Sequence, residues 1–129
     1  YTKEEMKLVH ESRKIMAVSG LKLTATCVRV PVNGGHSEAV NVSFKKSCSV
    51  EEIKAVLGSV DGVTVIDDTT KNEYPMPLNA HKKDDVFVGR IRKDESAENT
   101  FNLWIVSDNL RKGAATNAVQ ILESLIKSN

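Results

Sequence analysis

Cysteine is scarce in this sequence. Only Cys27 and Cys48 occur among 129 residues, in unrelated surroundings, with no CxxC and no Cys/His spacing suited to a metal. That argues against a disulfide scaffold and points to a reduced, cytoplasmic setting. Long apolar runs are missing as well: nothing approaches the ~20 residues a membrane helix needs, and there is no signal-peptide pattern. Net charge is close to nil, at +1, with basic residues scattered among acids, so neither a nucleic-acid nor a membrane partner is indicated. No internal repeat, no low-complexity tract and no glycine pattern of the dinucleotide or P-loop type is present. The first residue is not Met, and a helix signal follows almost at once, which reads as a piece cut from something longer.

What is present suffices for one compact domain with a proper core: 40% hydrophobic and 27% charged residues, ordinary for a globular chain. Thr2-Lys3-Glu4-Glu5 is a capping box that opens a helix to about Met16, with Leu8, Val9, Ile15 and Met16 on one side and Glu4, Lys7, Glu11 and Lys14 on another. Leu21 to Val30 reads as a strand, and His36 to Phe44 as a second, with Val40, Val42 and Phe44 alternating against Asn41 and Ser43. A second capping box, Ser49-Val50-Glu51-Glu52, starts a short helix that Gly58 ends, with Cys48 and Ile53 at hydrophobic-staple positions. Val63 to Ile66 is a short strand. Asp67 to Asp84 is a long polar excursion, extended at Tyr74–Leu78. Val86 to Ile91 and Thr100 to Val106 are strands joined by the charged turn Lys93–Asn99, and the last helix runs from about Leu110 to Ile126. The fold class is therefore α+β: a mixed, largely antiparallel sheet covered by helices.

The stretch from Thr24 to Glu38 holds the clearest candidates for chemistry. A β-branched run that must end at Pro31 and reverse at Gly34-Gly35 reads as strand, turn, strand, which can bring Arg29 and His36 to one end of a sheet. A guanidinium is a bidentate carboxylate receptor and an imidazole titrates near neutral pH, so the pair suits acid–base chemistry on a small anion. The plain alternative is two solvated side chains, although a charge inside Val28-Arg29-Val30 is costly unless something pairs with it. Glu4 and Lys7, at i and i+3, are either an ordinary helical ion pair or an anion and a cation offered to a zwitterion. Cys27 packs by strand parity and Cys48 by its staple position, so neither reads as a nucleophile. Asp108 to Ala115 is a strand-to-helix junction with small residues, suited to close approach of a ligand or another domain. His10 and His81 read as surface residues, and Val88 to Lys93 as an edge or interface strand. No metal site is visible.

Several motifs occur together and in order: Glu4-Glu5-Met6-Lys7, Glu11-Ser12-Arg13-Lys14-Ile15-Met16, Ala25-Thr26-Cys27-Val28-Arg29-Val30-Pro31-Val32, Gly35-His36-Ser37-Glu38, Val88-Gly89-Arg90-Ile91-Arg92-Lys93-Asp94, Ser107-Asp108-Asn109-Leu110-Arg111-Lys112-Gly113-Ala114-Ala115 and Asn117-Ala118-Val119-Gln120-Ile121. Over essentially its whole length the chain resembles the C-terminal part of bacterial-type aspartate-semialdehyde dehydrogenases. The resemblance implies a glyceraldehyde-3-phosphate dehydrogenase-like C-terminal domain over residues 1–129, which binds substrate and builds the dimer interface, with the helix at about 110–126 packed on a cofactor domain. It implies an oxidoreductase that converts L-aspartyl-4-phosphate and NADPH to L-aspartate 4-semialdehyde, NADP and phosphate, on the way to lysine, threonine and methionine. By the same resemblance His36 is the general acid/base, Arg29 holds the substrate carboxylate, Glu4 pairs with its ammonium, Lys7 helps bind phosphate, and Asn109 contacts the nicotinamide end of the cofactor. The Rossmann domain that binds most of the NADP and the Asn-Cys segment with the nucleophile are not in this sequence. These residues alone are therefore expected to show no reductase activity, and the complete protein to be a homodimer or homotetramer. A non-catalytic dimerisation or amino-acid-binding module, and a relative of N-acetylglutamyl-phosphate reductase, are the alternative readings. A free-ammonium partner at Glu4 speaks against the latter.

Overall fold

The computed structural model describes residues 1–128 and divides into two compact units, Tyr1–Pro31 and a second beginning at Val32. In the first, α1 (Lys3–Ile15) starts where the capping box places it: Glu5 N–H donates to Thr2 Oγ1 at 3.3 Å, and Thr2 N–H to Glu5 Oε2 at 2.7 Å. The apolar stripe is only partly buried, with Val9 7% exposed but Leu8 43%, Ile15 80% and Met16 60%.

Residues Leu21–Val30 form no strand and belong to no sheet, so the expected strand–turn–strand is not formed. β-branched residues favour an extended backbone without specifying a ladder partner. Here the segment is held by α1 side chains instead. Arg13 Nε donates to Leu21 O at 3.0 Å, and Cys27 N–H donates to Glu5 Oε1 at 2.9 Å. Glu5, 8% exposed, thus serves two purposes with one carboxylate, and the N–H groups of Thr2 and then Cys27 hold its pKa below the usual carboxylate value.

The second unit contains β1 (His36–Ser43), α2 (Val50–Gly58), β2 (Val63–Val65), α3 (Pro77–Ala80), β3 (Val86–Lys93), β4 (Thr100–Ser107) and α4 (Thr116–Lys127). The sheet has the order β1-β4-β3-β2, with β1/β4 and β4/β3 antiparallel and β2/β3 parallel, the mixed sheet of an α+β fold. The second capping box forms as expected, Ser49 with Glu52. Phe87, Val106 and Ala80 make the buried cluster, with Ile66 and Trp104 packed on it, and Trp104 Nε1 donates to Pro75 O at 2.9 Å.

Two further differences have local causes. At Tyr74–Leu78 the chain turns into the short helix α3 rather than staying extended, with Pro77 at its first position, where the missing N–H costs nothing. The last helix starts after Leu110 as expected, but its first turn, Arg111–Ala115, is a wide π turn in which Gly113 and Ala115 donate to the carbonyls of Asp108 and Leu110, five residues back, and the regular helix α4 runs from Thr116. β3 is interior only as far as Val88, where its β2 partner ends, and from Gly89 to Lys93 it pairs with β4 alone, the edge expected of that segment. Beyond Val88 a bulge lifts Arg90 to φ 53°, and the N–H groups of Arg90 and Ile91 donate to the buried carboxylate of Asp67, itself paired with Lys54 Nζ at 2.7 Å. A side chain here replaces the neighbouring strand.

Asp84 ties the approach to β3 to the start of α4. It accepts both Nε and an Nη of Arg111, at 2.6 and 2.9 Å, and the Thr116 hydroxyl at 2.7 Å. The bidentate guanidinium, then the hydroxyl, lowers its pKa from 3.8 to about 2. Because the folded-state value is depressed, the stabilisation is present above pH 3.8 and lost as pH falls through about 2. Asp84→Asn is expected to flatten acid destabilisation in that window, read from urea midpoints measured at successive pH values.

Candidate functional site

In the first unit, Lys7 Nζ lies 3.7 Å from Glu4 Oε1, with both side chains more than half exposed. A surface pair of this kind contributes little to stability, so both groups can exchange their partner for a ligand at small cost. Arg29 is exposed between Val28 and Val30, themselves 75% and 57% exposed, and makes no hydrogen bond or ion pair among the described residues. An exposed guanidinium is not desolvated, which removes the expected need for a pairing group inside the protein. The Glu5–Cys27 bond just described ties the segment that carries Arg29 to the helix that carries Glu4 and Lys7.

His36 and Asn109 lie in the second unit. His36 opens β1, in register with Ser107, and its side chain is exposed. It follows Gly34 (φ 70°) and Gly35 (φ 90°), left-handed conformations that a side chain at either position would strain. A Cβ at Gly34 would stand 2.9 Å from His81 Nδ1, so the His81 ring lies against this turn. Gly35 N–H donates to Asn109 Oδ1 at 3.0 Å, which joins the approach to His36 to the junction after β4.

That junction is anchored by Asp108, 3% exposed. One carboxylate oxygen accepts the N–H groups of Leu110 and Arg111 at 2.8 and 3.1 Å, and the other accepts Lys82 N–H at 2.8 Å. The Lys82 N–H first, then those of Leu110 and Arg111, hold the Asp108 pKa below the usual carboxylate value against its burial, and His81 Nδ1 stands 3.9 Å away. Asp108 and the second use of Glu5 were not evident as anchors in the sequence, since their partners are distant backbone amides. Their one signal is an acid beside a motif residue: Asp108 next to Asn109, and Glu5 next to Glu4. His81, read as a surface residue, is indeed exposed, but it borders the His36 turn.

The arrangement thus offers an unpaired guanidinium and an exchangeable ion pair in one unit, and in the other an exposed imidazole that follows a glycine held by a side-chain amide. The profile of a domain family described as semialdehyde dehydrogenase, dimerisation domain, matches residues 1–112. An aspartate-semialdehyde dehydrogenase of Aquifex aeolicus is 55% identical over 127 residues, covering 98% of this chain and 37% of the relative. The crystal structure of aspartate semialdehyde dehydrogenase II of Vibrio cholerae, complexed with ASA, superposes with a TM-score of 0.86 at 45% identity, over 98% of this chain and 37% of that one. A Candida albicans aspartate semialdehyde dehydrogenase structure with NADP gives 0.67 at 27% identity, over 84% and 38%. The chain therefore spans somewhat over a third of the length of these relatives.

Proposed function

The chain belongs to the semialdehyde dehydrogenase dimerisation-domain family, and on that premise we propose that it supplies the substrate-binding and acid/base residues of an aspartate-semialdehyde dehydrogenase. The reaction is conversion of L-aspartyl-4-phosphate and NADPH to L-aspartate 4-semialdehyde, NADP and phosphate, in cytoplasmic synthesis of lysine, threonine and methionine. The observation that carries this reading is the Glu5 clip, which sets the Arg29 segment and the Glu4/Lys7 helix in one unit.

In this reading Arg29 takes the α-carboxylate through its two-pronged guanidinium, Glu4 takes the ammonium, and Lys7 leaves Glu4 for the phosphate. These contacts hold the acyl carbonyl in a reactive position. His36 accepts the proton of the attacking thiol, which lies in the part of the enzyme beyond this chain, as phosphate leaves the acyl carbon, and returns a proton to the thiolate when the aldehyde is released. The nicotinamide cofactor, when bound, supplies the hydride that resolves the thioester. Asn109 fits its carboxamide: with Oδ1 occupied by Gly35, the Nδ2 group is left to donate. The exposed apolar side of α4, with Leu122 57% and Ile126 67% exposed, supports packing against a cofactor domain. The family's dimerisation role supports a homodimer or homotetramer.

The test is Arg29→Lys in the full-length protein. An ammonium cannot reproduce the fork, so KM for aspartyl phosphate is expected to rise by about tenfold or more, with KM for NADPH unchanged. Unchanged KM for the acyl phosphate refutes the assignment.

A further inference from the structure

We propose that Asn109 is a positioning residue for His36: its side-chain oxygen holds the Gly34–Gly35 turn, so the group that meets the nicotinamide also sets the acid/base imidazole. This rests on the roles given above to His36 and Asn109.

The turn needs such a tie. Two successive left-handed glycines lead into His36, and glycine is the residue whose backbone has most freedom to lose. Among the described residues, the bond from Gly35 N–H to Asn109 Oδ1 is the one hydrogen bond that holds residues 32–35. On its downstream side His36 is fixed by the β1/β4 ladder, opposite Ser107. Upstream it depends on Asn109.

Asn109 is in turn the fixed member of the pair. Its neighbour Asp108 is buried and receives three backbone N–H groups, from Lys82, Leu110 and Arg111, which pin the junction from both sides. Ser107, two residues earlier, is still in β4. Restraint therefore passes from Asn109 to the turn. The polarity of the contact also settles the orientation of the amide. A backbone N–H only donates, so the Asn109 oxygen must face Gly35 and the nitrogen must face away, free to donate to a ligand. One amide then reads cofactor occupancy at Nδ2 and holds the imidazole's approach at Oδ1. Supporting groups of this kind set catalytic geometry without touching the reacting atoms.

Two variants of the full-length protein separate the halves of this amide. Asn109→Ala removes both. Its kcat at saturating NADPH is expected to fall by about 10²-fold, the cost of a displacement near 1 Å at a reacting group, with a raised KM for NADPH and faster hydrogen exchange at the Gly35 amide. Asn109→Asp keeps an acceptor for Gly35 and loses the donor. It is expected to recover at least about tenfold of the lost kcat and to restore Gly35 protection, while KM for NADPH stays raised. A merely structural contact does not produce this split. An Asn109→Ala enzyme that raises only the NADPH KM, or in which Gly35 exchange is unaltered, overturns the proposal. So does an Asn109→Asp enzyme as slow as Asn109→Ala. Failure of the acid/base reading shows separately, as normal turnover by His36→Asn, and the Gly35 exchange comparison then still decides whether Asn109 holds the turn.

Discussion

Replacement of His36 by Asn in the full-length protein is expected to lower kcat by about 10²–10⁴-fold, the usual contribution of a positioned general acid/base. KM for both substrates should change little, and the fold should survive. The last expectation follows from the structure. The imidazole is exposed at the head of β1 and makes no hydrogen bond or ion pair among the described residues, while the backbone of His36 is held by its ladder partner Ser107. Nothing in the packing depends on the ring, and surface substitutions away from caps, cores and buried networks usually shift stability by about 0.5 kcal/mol or less. Asparagine retains hydrogen-bonding capacity near the ring nitrogens but cannot carry a proton at neutral pH. A histidine with a structural task would show the reverse pattern, a lower unfolding midpoint and modest kinetic loss. Steady-state rates beside a thermal melt distinguish the two, and wild-type kcat in the variant defeats the assignment.

The parts of this fold that were legible in the sequence are those written locally. Both capping boxes form with the residues expected, because a Ser or Thr and a Glu three positions on satisfy each other within one turn. The β3–β4 hairpin and the α+β class follow from alternation and short links in the same way. What was not legible depends on partners far along the chain. Leu21–Val30 has the composition of a strand, yet it joins no sheet, and its hydrogen bonds go to Glu5 and Arg13 on α1. The charged Val88–Lys93 segment was legible as an edge, but not the distant carboxylate, Asp67, that takes its Arg90 and Ile91 amides in place of a neighbouring strand. At the candidate site, the residue types of Arg29 and His36 could be read from sequence. The Gly35–Asn109 tie and the Asp108 anchor could not, since a backbone amide leaves no mark on the residue that bears it.

Gly89 tests that long-range order most severely. It is buried in β3, at the start of the bulge, where a Cβ would stand 2.1 Å from the carbonyl oxygen of Ile66 and 2.6 Å from Cδ of Pro75. Real Cβ atoms do not approach a backbone oxygen so closely, so an added methyl must move something. Ile66 cannot yield freely: its N–H donates to Val88 O at 2.8 Å, and the next residue, Asp67, is held by Arg90, Ile91 and Lys54. Pro75 is equally constrained, being fully buried with its carbonyl taken by Trp104. Gly89→Ala therefore either separates the chain after β2 from β3 or straightens the bulge and strands the Asp67 carboxylate. Overpacking a tight site costs typically about 1–3 kcal/mol, and loss of a buried carboxylate's partners adds to that. A destabilisation of about 3 kcal/mol or more is expected, read as a fall in urea midpoint. Gly58→Ala is the matched control, since nothing stands within 4 Å of a Cβ at that helical position, and it is expected to leave the midpoint unchanged or slightly raised. A Gly89→Ala midpoint equal to wild type would mean that Ile66 and Pro75 do not crowd β3 as described.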